Sequence, residues 1–214
     1  MNNEINRNNW GMIGHEWAVE MLQQHIAHDS LRHAYLLTGP AGVGRRTLAL
    51  RLAQALLCPQ PSSPGIPCRK CRTCKQIDAM QYPDLSILQA EKEGGVLKVE
   101  QVRQLRQQLV LTPFQGKYRV ALLLRFHEAN PSAYNALLKT LEEAPAHAIL
   151  LLTADTAEGL PPTIVSRCEV LRLRPLPVGL VETALVERGA GTDQAHLLAH
   201  LSSGRPGAAF RLME

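Results

Sequence analysis

Two groups of residues in this chain have types and spacings that could do chemistry. The first is a set of cysteines. Four of the five fall at Cys58, Cys68, Cys71 and Cys74, a C-x9-C-x2-C-x2-C spacing. Four thiolates hold Zn²⁺ tetrahedrally, and two-residue spacers let tight turns bring neighbouring sulfurs to one ion. Arg69, Lys70, Arg72 and Lys75 would offset the double negative charge of such a site. With no open ligand position the metal would be structural, not catalytic. A disulfide pair and an iron–sulfur cluster are the competing uses of the same spacing. Cys168, far away in sequence, reads as a small core residue.

The second group is Gly39-Pro-Ala-Gly-Val-Gly44, which stands between an apolar run and a helical pattern. Glycines at 39, 42 and 44 let a backbone wrap an anion and point N–H groups at it. A loop that hydrolyses nucleotide continues with Lys and then Ser or Thr. This one continues with Arg45 and Arg46. Arg45 keeps a positive charge in a bulkier planar group. Arg46 removes the hydroxyl that would hold Mg²⁺, and Thr47 comes ~100° further around the helix. A hydrolase also needs acids at the end of a strand expected beside that of the loop. Counting back from Asn135, those positions fall on Leu124 and Arg125, with His127 and Glu128 beyond the strand end. Two motifs have lost the same function. The sequence therefore predicts that Gly39, Gly42, Gly44 and Arg45 form a degenerate loop that does not bind ATP productively, though the framework could still hold a phosphate or sulfate.

A regular frame must position these residues, and the sequence outlines one. In 214 residues, 45% are hydrophobic and 20% charged, with 15 Gly and 14 Pro, a globular balance. No apolar stretch approaches the ~18 residues of a membrane span. The polar start, Met1 to Trp10, lacks the apolar core of a secretory signal, which predicts a cytoplasmic protein. Aromatic residues are 4%, so the core must be built from Leu, Ala, Val and Ile. Strands are predicted at Ala34–Thr38, Asp84–Leu88, Tyr118–Leu124, Ala148–Thr153 and Glu169–Leu173, and helices at Thr47–Leu57 and Ser132–Glu143. Val99, Val102, Leu105, Leu109 and Val110 recur at helical spacing. Strands alternating with helices imply an α/β domain with a five-stranded parallel sheet covered on both faces, over residues 1–175. The cysteines and the four prolines of Pro59–Pro67 form an insertion in it at about 58–75. From Val178 to Met213 only helical patterns occur, broken at Gly189–Gly191 and Gly204–Pro206, so 176–214 reads as a small all-helical domain.

The net charge of +4 is mild, but its distribution is uneven. Lys98 to Arg119 holds five basic residues against one acidic, and Arg69 to Lys75 holds four basic residues in seven. Such clusters follow a phosphate backbone or an acidic partner, or are solvated helix faces. No aromatic residue interleaves the second cluster, which argues against base stacking there.

Gly39–Gly44, the four cysteines, Asn135-Ala-Leu-Leu-Lys-Thr-Leu-Glu-Glu143 and Pro161-Pro-Thr-Ile-Val-Ser-Arg-Cys168 occur in a familiar order and at familiar intervals. Together they resemble the bacterial clamp-loader subunits of DNA polymerase III, in the AAA+ superfamily, from about Gly14 to Leu212. The resemblance implies an AAA+ P-loop domain with a zinc module, followed by a helical lid. Two kinds of subunit share these marks, an ATP-hydrolysing motor (gamma/tau) and a delta prime subunit with a degenerate nucleotide site. Arg45, Arg46, Leu124 and Arg125 favour the second kind. Motors also carry a nucleotide-sensing Arg in a Gly-x-x-Arg setting of the small domain, where Gly204-Arg-Pro-Gly207 has Gly207, with Arg205 two positions early.

In the family the Arg of Ser166-Arg167-Cys168 enters the ATP site of the neighbouring subunit, so the resemblance implies that Arg167 is an arginine finger in trans. A structural Arg holding the strand end by a salt bridge is the other reading. The implied partners are the other subunits of a hetero-pentameric ring, the sliding clamp, and primed DNA through the assembled complex, with no membrane. The chain would be a component of a DNA-directed DNA polymerase holoenzyme, a nucleotidyltransferase, without ATPase activity of its own. The family's third, helical collar domain is absent from the 214 residues. An active clamp-loader ATPase, with Arg45 in place of Lys, is the alternative. A zinc-dependent nucleic-acid-binding module using Arg69, Lys70, Arg72 and Lys75 is the second.

Overall fold

A computed structural model describes residues 9–214. The absence of a secretory signal was read largely from residues 1–8, which lie outside the described residues. Near-continuous apolar runs form five strands, β1 (Ala34–Thr38), β2 (Leu85–Leu88), β3 (Arg119–Leu123), β4 (Ala148–Ala154) and β5 (Glu169–Arg172). Each lies within about a residue of its predicted ends. All pairings are parallel, in the order β2-β3-β4-β1-β5.

Side chains alternate between the two faces of a strand, so each strand feeds two cores. Tyr35, Leu37, Val120, Leu122 and Leu151 pack with α1 (Glu16–Ala27) and α2 (Arg45–Leu57). Leu36, Ala121, Leu123, Leu150 and Leu152 pack with α4 (Val99–Val110) and α5 (Pro131–Glu142). α3 (Arg72–Asp78) belongs to the cysteine insertion, and α6 (Pro162–Val165) is one turn before β5. Asn130 starts α5 by accepting the Ala133 N–H at 2.8 Å, with Pro131 at the first helical position.

The sheet order corrects one expectation. The strand read as the neighbour of β1 is β3, but β4 lies between them. Burial patterns report how many faces of a strand are covered, not which strand lies beside it. The residues after β3 therefore reach the glycine loop across β4, where Thr153 Oγ1 accepts the Arg125 N–H at 2.9 Å.

Three buried residues tie loops to this frame through polar atoms. Asp84, wholly buried before β2, accepts N–H bonds from Phe114 (2.6 Å) and Gln115 (3.0 Å), with the Arg119 guanidinium 3.8 Å away. Near the start of the described chain, Trp10 is buried and its Nε1–H donates to Gly65 O at 2.7 Å, pinning the proline-rich loop. His15, also buried, places Nε2 3.0 Å from Val43 O, so that nitrogen carries the proton and donates.

Burial lowers the His15 pKa below 6.5, against the opposing Val43 bond and Glu16 charge. Below about pH 6.5 the unfolded chain then binds a proton that the folded chain refuses, so stability falls as pH falls. Urea midpoints compared at about pH 7.5 and about pH 5.5 should show a smaller acid-side loss in His15→Gln than in the parent. Equal losses would remove His15 from the account.

A separate core of Val181, Leu185, Ala195, Ala199 and Ala209 holds α7 (Val178–Glu187), α8 (Thr192–Leu201) and α9 (Pro206–Met213) together. Their breaks fall where Gly and Pro predicted them. Among the described residues no helix is long and apolar enough to cross a membrane.

Candidate functional site

The glycine loop joins β1 to α2, outside the carboxyl ends of the strands, where open parallel sheets take ligands. Gly39 has φ 143°, and a Cβ there would overlap the Leu173 carbonyl oxygen, so only glycine fits. α2 begins at Arg45, two residues sooner than its apolar pattern suggested. Leu48 N–H bonds to Gly44 O at 2.9 Å, while the N–H groups of the preceding turn have no intrahelical acceptor.

Arg45, in the place of the catalytic lysine, turns to the end of β4. Its Nη1 lies 2.7 Å from Asp155 Oδ1, with the Arg45 side chain only 10% exposed. Asp155 Oδ2 is also 3.6 Å from His127 Nε2. Arg45 is thus engaged by a carboxylate of the same chain.

Around this loop lies a cleft of about 430 Å³. α2 lines it with Arg45, Arg46, Thr47 and Arg51, and Leu124 and Arg125 form the wall where a hydrolase needs acids. Among the described residues no carboxylate lines it. Thr47 reaches the cleft despite its late position, so the lining includes a hydroxyl but not the acids. Glu128 does not replace them. It is turned away, its Oε1 accepting Arg125 Nε–H at 2.9 Å and the Gly94 N–H at 2.8 Å.

The sequence reading missed three residues of this cleft. α9 packs directly on the loop, with the Gly207 N–H donating to Gly42 O at 2.8 Å, and carries Arg211 into the cleft one turn later. Arg188 enters after α7, its guanidinium 3.6 Å above the Phe210 ring. The C-terminal helices therefore do supply cations, from positions other than the one compared with the family motif. The available signal was helical spacing, since Arg211 lies four residues after Gly207 and shares its face. Arg205 instead bonds Ser202 O at 2.8 Å. Arg69 comes from the cysteine insertion, in a left-handed conformation with φ 58°. Its guanidinium covers Gly11, in the space a Cβ there would need. Partial burial, then the nearby Arg51 charge, lowers its pKa.

The four cysteines converge as their spacing predicted. Cys58 comes from the end of α2, Cys68 and Cys71 from the turn before α3, and Cys74 from α3 itself. All four Sγ atoms lie within 4.8 Å of one another, with Cys58–Cys68 at 3.6 Å and Cys58–Cys71 at 4.0 Å. A tetrahedral ion with ~2.3 Å bonds requires sulfurs about 3.8 Å apart, so the set fits a four-thiolate metal. The Cys71 and Cys74 N–H groups donate to Cys68 and Cys71 sulfurs, each at 3.4 Å. Backbone donation, from Lys70 above all, pulls the Cys68 thiol down to about 6, while burial pushes Cys58 and Cys74 up. None of the cysteines is in a disulfide. Cys168 packs against the α4–α5 core, where burial raises its thiol to about 12.

Arg167 stands apart from this cleft. Its Nη2 is 2.7 Å from Glu142 Oε1 at the end of α5, and Nη1 donates to Thr163 O at 3.0 Å. A neighbour's site could receive it only once Glu142 releases it.

Residues 14–177 match the model of a family described as DNA polymerase III, delta subunit. The DNA polymerase III subunit delta' of Pseudomonas aeruginosa is 39% identical over 92% of this chain and 60% of its own length. Subunit tau of Salmonella typhimurium is 35% identical over 78% of this chain and 25% of its own length. The chain thus spans less than two thirds of either relative. Among solved structures, a DNA polymerase III gamma subunit-related protein of Thermotoga maritima superposes with a TM-score of 0.59. At 21% identity, over 87% of this chain and 58% of that one, it speaks to the fold alone, the AAA+-type arrangement predicted from the motifs.

Proposed function

The chain belongs to the DNA polymerase III delta-subunit family, and from that premise we propose that it is a non-hydrolysing subunit of the polymerase's clamp loader. In this reading it helps load the sliding clamp onto primed DNA from within a ring of related subunits in the cytoplasm. The observation that carries it is the lining of the cleft. Hydrolysis needs a metal ion to bridge the phosphates, and acids to hold that ion. Here Leu124 and Arg125 occupy the wall and, among the described residues, no carboxylate lines the cavity.

The four thiols would hold a structural Zn²⁺, which supplies cross-linking of the insertion and no catalysis. Arg167 is the residue proposed to act outside this chain, as an arginine finger in the ATP site of an adjacent motor subunit. Glu142 then has a role as well, holding the guanidinium in a defined place until the subunits meet. Residues 1–175 and 176–214 act as the AAA+ domain and its lid, with assembly depending on contacts they make within the ring.

The test has two arms. The purified chain with Mg²⁺-ATP should show no turnover, and Mg²⁺-dependent turnover abolished by Arg45→Ala would overturn the proposal. In the reconstituted complex, Arg167→Ala should lower the motor's ATPase rate, by up to ~10³-fold or more for a full arginine finger. An unchanged rate would leave Arg167 as a structural partner of Glu142.

A further inference from the structure

β5 is an outermost strand of the sheet, and among the described residues no strand lies on its outer side. The Leu173 N–H bonds to Thr38 O at 2.8 Å, and main-chain groups alternate in direction along a strand. Leu171 and Leu173 therefore face β1, while the N–H and C=O groups of Val170, Arg172 and Arg174 face outward. A recess of about 580 Å³ lies against that edge. β5 and its continuation line it with those same alternate residues, and the start of α1 lines its other side with Glu16 and Trp17. It shares no lining residue with the glycine-loop cleft. Trp17 is 49% exposed there, whereas Trp10 is buried. Arg174 has no hydrogen-bond or ion-pair partner among the described residues. Arg172 has only Glu158, at 3.9 Å, with both side chains more than half exposed. Glu16 already accepts from Asn9 Nδ2 at 3.4 Å.

Unpaired main-chain groups at a sheet edge are a template for another strand, and proteins commonly cover such an edge or break it with a bulge or proline. Glu169–Arg172 keeps an unbroken register with β1 and contains no proline. We propose that this edge takes an extended acidic segment of a partner protein as a further strand of the sheet. The inference goes beyond the clamp-loader reading and does not depend on whether the chain hydrolyses ATP. Main-chain bonds to Val170 and Arg172 supply the attachment, and side chains alternating along the added strand supply the selection. Leu171 and Leu173 pack on the α1 side of the sheet and Val170 on the other, so Arg172 and Arg174 share the face of Val170. Acidic side chains two residues apart on the added strand lie on that same face and meet both guanidiniums. The intervening side chains point to the α1 side, where the exposed Trp17 ring offers them an apolar wall.

The probe is a short capped peptide of alternating glutamate and valine, titrated into the full chain by tryptophan fluorescence, with amide exchange of the complex read residue by residue. Binding is expected, with exchange at the Val170 and Arg172 N–H groups slowed about tenfold or more. Leu171, whose N–H already faces β1, should change little. Arg174→Glu, at an exposed position, should weaken the peptide about tenfold. Arg172→Ala and Arg172→Pro separate charge from pairing. Both remove the guanidinium, but only proline also removes the outward N–H, and it spares the β1 ladder because that N–H faces away from β1. Binding should be weakened in the first and lost in the second. Peptides N-methylated on alternate amides, at glutamate or at valine, repeat this test without altering the protein, and one of the two should fail to bind. Four results would overturn the proposal: no peptide binding, binding that leaves the Val170 and Arg172 amides unprotected, equal affinity for a lysine–valine peptide, or equal binding by both methylated peptides. A chain that sediments as a dimer, dissociated by Arg172→Pro, would overturn it as well, by giving the edge to a second copy.

Discussion

A Cys71→Ser variant is expected to lose its metal ion and to melt well below the parent, with a loss of roughly 4 kcal/mol or more. Cys71 is the hub of the insertion. Its sulfur lies 4.0 Å from that of Cys58, accepts the Cys74 N–H at 3.4 Å and caps α3. A serine oxygen is a poor zinc ligand, and three remaining thiolates leave an exchangeable site. Structural zinc sites in small peptides bind with ~10–16 kcal/mol, nearly all of it coupled to folding. Here less is at stake, because α3 has a second anchorage. Gln54, fully buried on α2, donates to Cys74 O at 2.8 Å, and Ile77 packs in the main core. The disturbance should therefore stay local, with faster amide exchange across 58–80 and little change in β1 or β4. Zinc content by elemental analysis, with melting followed in parallel, decides the matter. Metal loss without a shift in melting would make the insertion an appendage. A parent that never carries metal would remove the zinc reading altogether.

The strands were legible because a strand buried on both faces must be almost wholly apolar, and Val120–Leu124 and Ala148–Thr153 are. Their spatial order was not, because nothing in the Leu and Val content of β3 says that β4 will lie between it and β1. The cysteine site was legible for a related reason: its ligands are close in sequence, so spacing carries most of the geometry. The cleft was only half visible. Arg45 and Arg46 announce themselves beside the glycines, but Arg69, Arg188 and Arg211 are ordinary charged positions until the fold brings them together. Asp84 illustrates the same limit. It read as the first residue of a strand, and its work is to hold the loop at Phe114 and Gln115, some thirty residues on.

The loop keeps its glycines without its hydrolytic residues, and a Gly42→Val variant tests why. If the glycines served only an anion, this change would weaken anion binding and leave the unliganded protein intact. The geometry argues otherwise. Gly42 has φ 85°, where a side chain costs roughly 1–2 kcal/mol, more for a branched one. A Cβ there would come within 2.8 Å of the Ala208 backbone nitrogen. That neighbour is the main chain of α9, so it cannot yield as a flexible side chain would. The helix must withdraw, which breaks the Gly207–Gly42 hydrogen bond, a further loss of about 1 kcal/mol. The expected result is about 2–4 kcal/mol of destabilisation together with a sharp rise in amide exchange across Pro206–Met213 in anion-free protein. Exchange unchanged in α9 would show that the helix does not depend on the loop. If protection is lost as expected, the glycines are explained by backbone contact between the two parts of the chain. Contact with α9 alone is then enough to hold the loop to its glycine pattern, whatever the loop binds.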